Sequence, residues 1–377
     1  MKQTLLKFGT VGIFGFAIFL IFTRFISVIE TGGHNWAVGE WLINYGGGFV
    51  RRGLTGQLLL SLPFSSKIIL IILFLFIFSL VIYVYLSVLI PSLKSGLNFF
   101  SLFLLLNPAG LLFIAWDQNV FIRKEWLGLG ILVLLSANTF KFKSSRIDLL
   151  VIPLFVFALM SSEVNAVYIP AIMYLLSHPE RRPTKVYLYP LDKVLLVLST
   201  ITLVPLIIFH GDMNTTFMAC EKIKSNGFDP LLNCQGAIET LGFSLSQALV
   251  HFKSDYPGYL LYFPLALFGI LPLYLTSWFK SHLLLVKQML LFALPLFLIA
   301  WDYGRWISIV VCQATVLTLM EGNFSKKRDL LSTIILPNRL KVLLLISCCL
   351  WGLGHGGNPL TNGWIGFLPS LGKFLIG

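Results

Sequence analysis

The chain has 377 residues, is 57% hydrophobic and only 12% charged, and carries a formal net charge of +12. Soluble domains hold about 25% charged residues, so this composition excludes a cytosolic enzyme, a secreted disulfide scaffold and a disordered protein. The basic residues are scattered between apolar runs, never more than three together, and form no basic domain or arm, which argues against nucleic acid as a partner and leaves an integral membrane protein.

Met1–Lys7 is a short positive lead. The apolar run from Phe8 to Ile29 is too long for a signal-peptide core and lacks a small-residue cleavage site, so it reads as a first spanning helix. Segment 38–66, with its aromatics, glycines and apolar tail, reads as an amphipathic helix lying in the membrane interface. Further apolar runs follow at 67–91, 98–116, 126–139, 148–162, 164–177, 194–209, 257–279, 288–301, 306–320 and 341–354. Several fall short of the roughly 20 residues a perpendicular span needs. They come as tight pairs, 98–139, 148–177 and 288–320, each split by a small polar knot. The expected fold is all-α and polytopic, with about eleven transmembrane helices, several short and paired. It forms a single transmembrane domain over 1–377, with the longer external loops at 30–66 and 210–256.

With the N-terminus in the cytoplasm, most of the 28 Lys and Arg residues fall in short cytoplasmic loops, as the positive-inside rule requires. Cys312, Cys348 and Cys349 sit inside apolar runs and read as packing residues. Cys220 and Cys234 share one polar loop, where a disulfide forms if that loop faces an oxidising compartment.

Ionisable residues are costly in a bilayer and are functional candidates by default. Here they gather at the external ends of the paired helices. Asp117, Arg123, Lys124 and Glu125 lie in WDQNVFIRKEW, Glu163 and Asn165 in SSEVN, and Asp302 and Arg305 in WDYGRW. The first external loop adds Glu30, His34, Glu40, Arg51 and Arg52. Each knot alone reads equally as a self-neutralising cap; four on one face read as a shared polar cavity opening outward. Arg51, Arg52, Arg123, Lys124 and Arg305 suit phosphate oxygens, which guanidinium forks bind bidentately. The run Gly46–Gly53 allows close backbone approach to such a group, although headgroup snorkelling also accounts for its two arginines. The carboxylates Glu30, Glu40, Asp117, Glu163 and Asp302 are candidates for a general base on a sugar hydroxyl, with ion pairing as the plainer role. Most of the aromatics on this face, Trp41, Trp126, Tyr168 and Trp306 among them, read as an interfacial belt. No histidine pair has zinc-protease spacing, and neither a P-loop nor an acidic DxD pair is present, so no metal and no cofactor is expected. Gly352–Gly357 matches GxGxxG only formally, since it follows a membrane helix and not a strand.

The helix count, the short pairs and the outward polar face, together with GGGFVRRG (46–53), RKE (123–125), Glu163 opening a helix and WDYGRW (301–306), resemble the Wzy-type O-antigen and capsule polymerases of bacteria, and more broadly the GT-C membrane glycosyltransferases. The resemblance implies a metal-independent enzyme of the bacterial inner membrane that polymerises polyprenyl-diphosphate-linked oligosaccharide repeats at the periplasmic face. Membrane lipid and a chain-length regulator would be its partners. It also implies that Arg51, Arg52 and Arg305 match the family's functional arginines. On this reading Arg51, Arg52, Arg123, Lys124 and Arg305, with Asp302, bind substrate, and Glu163, Asp117 or Glu30 takes the acceptor proton. The polymerases' two matched arginine-rich external loops have no counterpart, since 210–256 holds only Lys222, Lys224 and Lys253. The alternatives are a GT-C transferase adding one sugar from a polyprenyl-phosphate donor, a transporter of lipid-linked glycan, and a structural subunit of a membrane complex.

Overall fold

The computed structural model describes residues 2–116, 121–179, 190–243, 245–299, 302–324, 336–354 and 360–361. The protein is all-α, with a single two-residue antiparallel ladder near the C-terminal end, Gly352–Leu353 (β1) against Leu360–Thr361 (β2). Its residues fall into two compact units, one built from 1–20, 85–120 and 252–377, the other from 21–84 and 121–251.

Four helices are long and apolar enough to cross a membrane among the described residues. They are α1 (Lys2–Thr31), α4 (Ser66–Ser95), α10 (Leu191–Ile208) and α16 (Tyr303–Phe324), and they correspond to the runs at 8–29, 67–91, 194–209 and 306–320. The other apolar runs form shorter pieces. Run 98–116 is cut into α5 (Phe99–Leu105) and α6 (Phe113–Trp116) by a turn at Asn107, whose side-chain oxygen accepts from the Ala109 amide. The start of α5 is fixed by a capping box, Asn98 accepting from the Ser101 amide and Ser101 from the Asn98 amide.

In the unit holding 21–84 and 121–251, the core is α7 (Glu125–Ala137), buried along almost its whole length. It packs on α8 (Ser145–Ser161), on a 3-10 turn over Glu163–Tyr168 and on α9 (Ile169–Leu176), while α10 lies along α8 and α9. Segment 38–66 is not one interfacial helix. It forms α2 (Ala37–Leu42) and α3 (Gly53–Leu60) on either side of a glycine turn. Every residue of α2 is buried, including its one charge, Glu40, so the helix has no wet face to offer an interface. Gly56 lets α3 sit against the Ile43 carbonyl, where a Cβ would collide with backbone. A second segment, α11 (Met213–Ser225) and α12 (Pro230–Asn233), packs on this turn and on α2. The side chains of Asp212 and Asp229 cap these two helices, and Cys220 and Cys234 are disulfide-bonded.

In the other unit, α16 is buried on all sides from Gly304 to Gly322. That burial lets it carry Gln313, Thr315, Thr318 and Glu321, which lipid would not tolerate. Glu321 accepts from the Trp278 indole N–H at 2.8 Å, and Trp278 stacks on His282. Against α16 stand α13 (Leu245–Tyr274), α14 (Ser277–Ser281) and α15 (Leu283–Ile299), while α17 (Asn338–Leu350) packs on α5. α13 and α15 show bare apolar side chains outward, such as Phe263 and Leu284. Such faces suit a hydrocarbon solvent and not water.

Candidate functional site

Three connections distant in sequence meet in the second unit and bring most of the expected cations together. The first is the turn between α2 and α3. Asn44 donates to the Leu42 and Ala219 carbonyls and accepts from the Gly46 amide, which pins the turn to α11. Gly47 passes so close to α11 that a Cβ would lie 2.7 Å from Thr215 Cα. Beyond it, Arg51 donates its amide to Phe209 O at 2.9 Å, and Arg52 takes a left-handed backbone with φ of 65°. That conformation costs a residue other than glycine about 1–2 kcal/mol. It is held by Lys124 Nζ, which donates to Arg52 O at 2.8 Å.

The second connection is the RKE knot before α7. Arg123 Nη1 donates to Glu40 Oε2 at 2.6 Å, and both side chains are buried. The guanidinium lies 5.9 Å from the Trp36 ring, and the Lys124 ammonium 5.7 Å from the Trp41 ring. Trp41 is itself tied down through its indole N–H to the Ile122 carbonyl. Trp41, Trp126 and Tyr168 are buried here, as Trp306 is in the other unit, so these four serve packing and cation contacts and not the expected interfacial belt.

The third connection follows α8. Ser162 is extended, Glu163 opens the 3-10 turn, and Asn165 acts as a strut. The Asn165 amide donates to the Ala158, Ser162 and Lys124 carbonyls, and its oxygen accepts from the Gly128 amide. Asn165 therefore ties the end of α8 to the start of α7 and fixes where Glu163 stands. Arg52 clasps that carboxylate in a fork, with Nε at 2.9 and 3.0 Å and Nη2 at 2.6 Å, while Arg51 Nη1 is at 3.5 Å. Arg52 Nη1 also comes within 4.0 Å of Glu40 Oε1, joining the two pairs into one network.

Arg51, Arg52 and Glu163 form a partly exposed rim, and Glu40, Arg123 and Lys124 lie buried behind them. The cations Arg51, Arg52, Arg123 and Lys124 outnumber the carboxylates Glu40, Glu125 and Glu163. Burial by itself would push the Glu163 carboxyl upward; the guanidinium groups of Arg52 and Arg51 overcome it and hold the pKa at about 2. For Lys124 burial dominates: it depresses the ammonium to about 7, against Glu40 and with the help of Arg52. Arg51 Nε, Arg123 Nε and Ser162 Oγ are buried without a hydrogen-bond partner, an uncommon state for such atoms in a folded protein.

The remaining expected residues stand elsewhere. Asp302 and Arg305 belong to the other unit, where they pair at 3.1 Å at the head of α16, with Arg305 also over the Trp306 ring. Glu30 is exposed near the end of α1 and, among the described residues, makes no ion pair. Asp117 lies outside the described residues. Among the described residues no group of three His, Cys, Asp or Glu side chains is placed to hold a metal ion. Sequence reasoning marked Asn165 only as a polar residue; its strut role had no signal beyond its position two residues after Glu163.

No family model, no curated protein and no solved structure matches this chain.

Proposed function

We propose that the protein is a multi-pass membrane glycosyltransferase that acts on polyprenyl-diphosphate-linked glycan and joins oligosaccharide repeat units into a longer chain, as a bacterial O-antigen or capsule polymerase does. One observation carries the reading. Four cations drawn from two separate connections crowd around fewer carboxylates, with a partly exposed arginine fork at the rim. A site of that charge binds an anion, and fork geometry favours phosphate oxygens. The unpartnered Nε atoms of Arg51 and Arg123 fit the same ligand class. In this reading the cations hold the donor diphosphate and take up its growing negative charge as the sugar C1–O bond breaks. The chain forms one transmembrane domain with about eleven spans in the bacterial inner membrane, its N-terminus in the cytoplasm. Its loops 30–66 and 210–256 face the periplasm, and the Cys220–Cys234 bond suits that oxidising side. A chain-length regulator is the expected protein partner, and Asp302 with Arg305 is assigned to glycan binding.

The test is a surface-glycan ladder from a bacterium carrying the gene, its deletion strain, and the deletion complemented with wild type or Arg52→Ala. Collapse to core plus one repeat, restored by wild type but not by Arg52→Ala, is expected. A full-length ladder with only shifted mobility would overturn polymerisation in favour of single-sugar transfer.

A further inference from the structure

We infer that Glu163 is a built-in stand-in for the substrate's phosphate: its carboxylate occupies the fork of Arg51 and Arg52, yields that fork to the diphosphate, and once released takes the proton of the acceptor hydroxyl. The inference rests on the anion-binding reading above and adds the order of events. Three features of the site carry it.

The contacts of Glu163 are those a phosphate oxygen makes, a fork with bonds of 2.6 to 3.0 Å plus a second guanidinium at 3.5 Å. The arginine half of the clasp is anchored independently of the carboxylate. Lys124 grips the Arg52 carbonyl, Glu40 faces the Arg52 guanidinium, and the Arg51 amide is bonded to Phe209. The carboxylate half is a side chain on a fixed backbone: Asn165 holds the chain around Glu163, and the carboxylate stands at the partly exposed rim. A side-chain rotation is then enough to hand over the fork, with no movement of α7 or α8.

Paired as it stands, Glu163 is too weak a base to take a hydroxyl proton, its pKa being about 2. Relieved of the arginines, it loses the charges that hold its proton affinity down, and burial, the largest influence on it, raises that affinity against a single backbone hydrogen bond. Arrival of the donor therefore switches the base on. In the transfer the acceptor oxygen bonds to C1 of the donor sugar and the C1–O bond to the diphosphate breaks. That electron pair goes to the diphosphate oxygen, and the hydroxyl proton goes to a Glu163 carboxylate oxygen.

The test uses the full-length protein in lipid nanodiscs with inorganic pyrophosphate as probe, read by calorimetry. Removing the competing charge with Glu163→Gln is expected to tighten pyrophosphate binding by ~10-fold or more, the lower end of what close charge pairs contribute, while transfer is lost; Arg52→Ala loses binding. Unchanged or weaker binding to Glu163→Gln overturns the hand-over but leaves the anion site standing. Failure of both wild type and Glu163→Gln to bind overturns the functional reading as well. A second measurement needs no variant. Sulfate carries no titrating proton at about pH 4.5, near the ordinary glutamate pKa. Of the groups facing Glu163, the cations Arg51, Arg52 and Lys124 stay charged there; Glu40, which faces the Arg52 guanidinium, is bonded to Arg123. Sulfate binding to wild type is then expected to draw protons from the buffer, and no uptake or a release overturns the hand-over.

Discussion

Arg52 carries two demands at once: a left-handed backbone that most side chains avoid, and a planar fork that a point charge cannot reproduce. Arg52→Lys keeps the charge and loses the second and third bonds to Glu163. Transfer is expected to fall by ~100-fold, the scale of losing one preorganised electrostatic contact, with the protein still folded by circular dichroism. Lys124 makes a different prediction. Its ammonium is depressed to about 7 by burial, opposed by Glu40, Glu163 and Glu125 and reinforced by Arg52. Below that pH the site has its full positive excess, and as pH rises through it one cation is lost. Sulfate affinity measured from pH 6 to 9 is therefore expected to drop through about 7, and Lys124→Arg to hold it across the range. Stability has the opposite sign. The unfolded lysine keeps its proton to higher pH than the folded one, so the burden of the buried ammonium lightens as pH rises from about 7 toward the ordinary lysine value of 10.5. For Glu163 the folded pKa lies below the usual value, so its contribution is present above the ordinary carboxylate range and disappears as pH falls toward about 2.

Among the elements, the short pieces matter more than the long ones. The polar knots were legible in the sequence because charges at the ends of apolar runs stand out: RKE, SSEVN and the double arginine all reach the site. Their pairing was not legible. Arg52 meets Glu163 across 111 residues, and nothing local encodes which carboxylate meets which guanidinium. The expectation of one amphipathic helix over 38–66 failed for a physical reason. The glycine turn and the left-handed Arg52 break the helix, and Glu40 finds its partner inside rather than in water. The segment 213–233 depends on a covalent tie. Its disulfide closes a loop with a sequence separation of 14, for which chain entropy gives about 3 kcal/mol. Cys220→Ser is expected to lower unfolding stability by about that amount, and to quicken proteolysis at Lys222 and Lys224 as α11 leaves the glycine turn.

For the whole molecule, the composition that excluded a soluble protein is matched by apolar side chains bared along α1, α4, α10, α13 and α15. The long spans were readable because a run of about 20 apolar residues has one natural fate in a bilayer. The eleven-span count is a statement about the chain in its membrane, and cysteine labelling from either side tests it. With single cysteines at Lys2, Gly48 and Lys224, the last two are expected to react with an impermeant reagent in intact spheroplasts and the first only after lysis. Labelling of Lys2Cys in intact spheroplasts would reverse the orientation.

The clasp between Arg52 and Glu163 also has a history written into it. Synthesis adds roughly 5–20 residues per second, so the 111 residues between the two partners take on the order of 6–20 seconds to emerge. Throughout that interval Arg51 and Arg52 wait without Glu163, and of the network's carboxylates only Glu40 precedes them in the chain. A chain that stalls before Glu163 keeps the arginine fork without the carboxylate that clasps it.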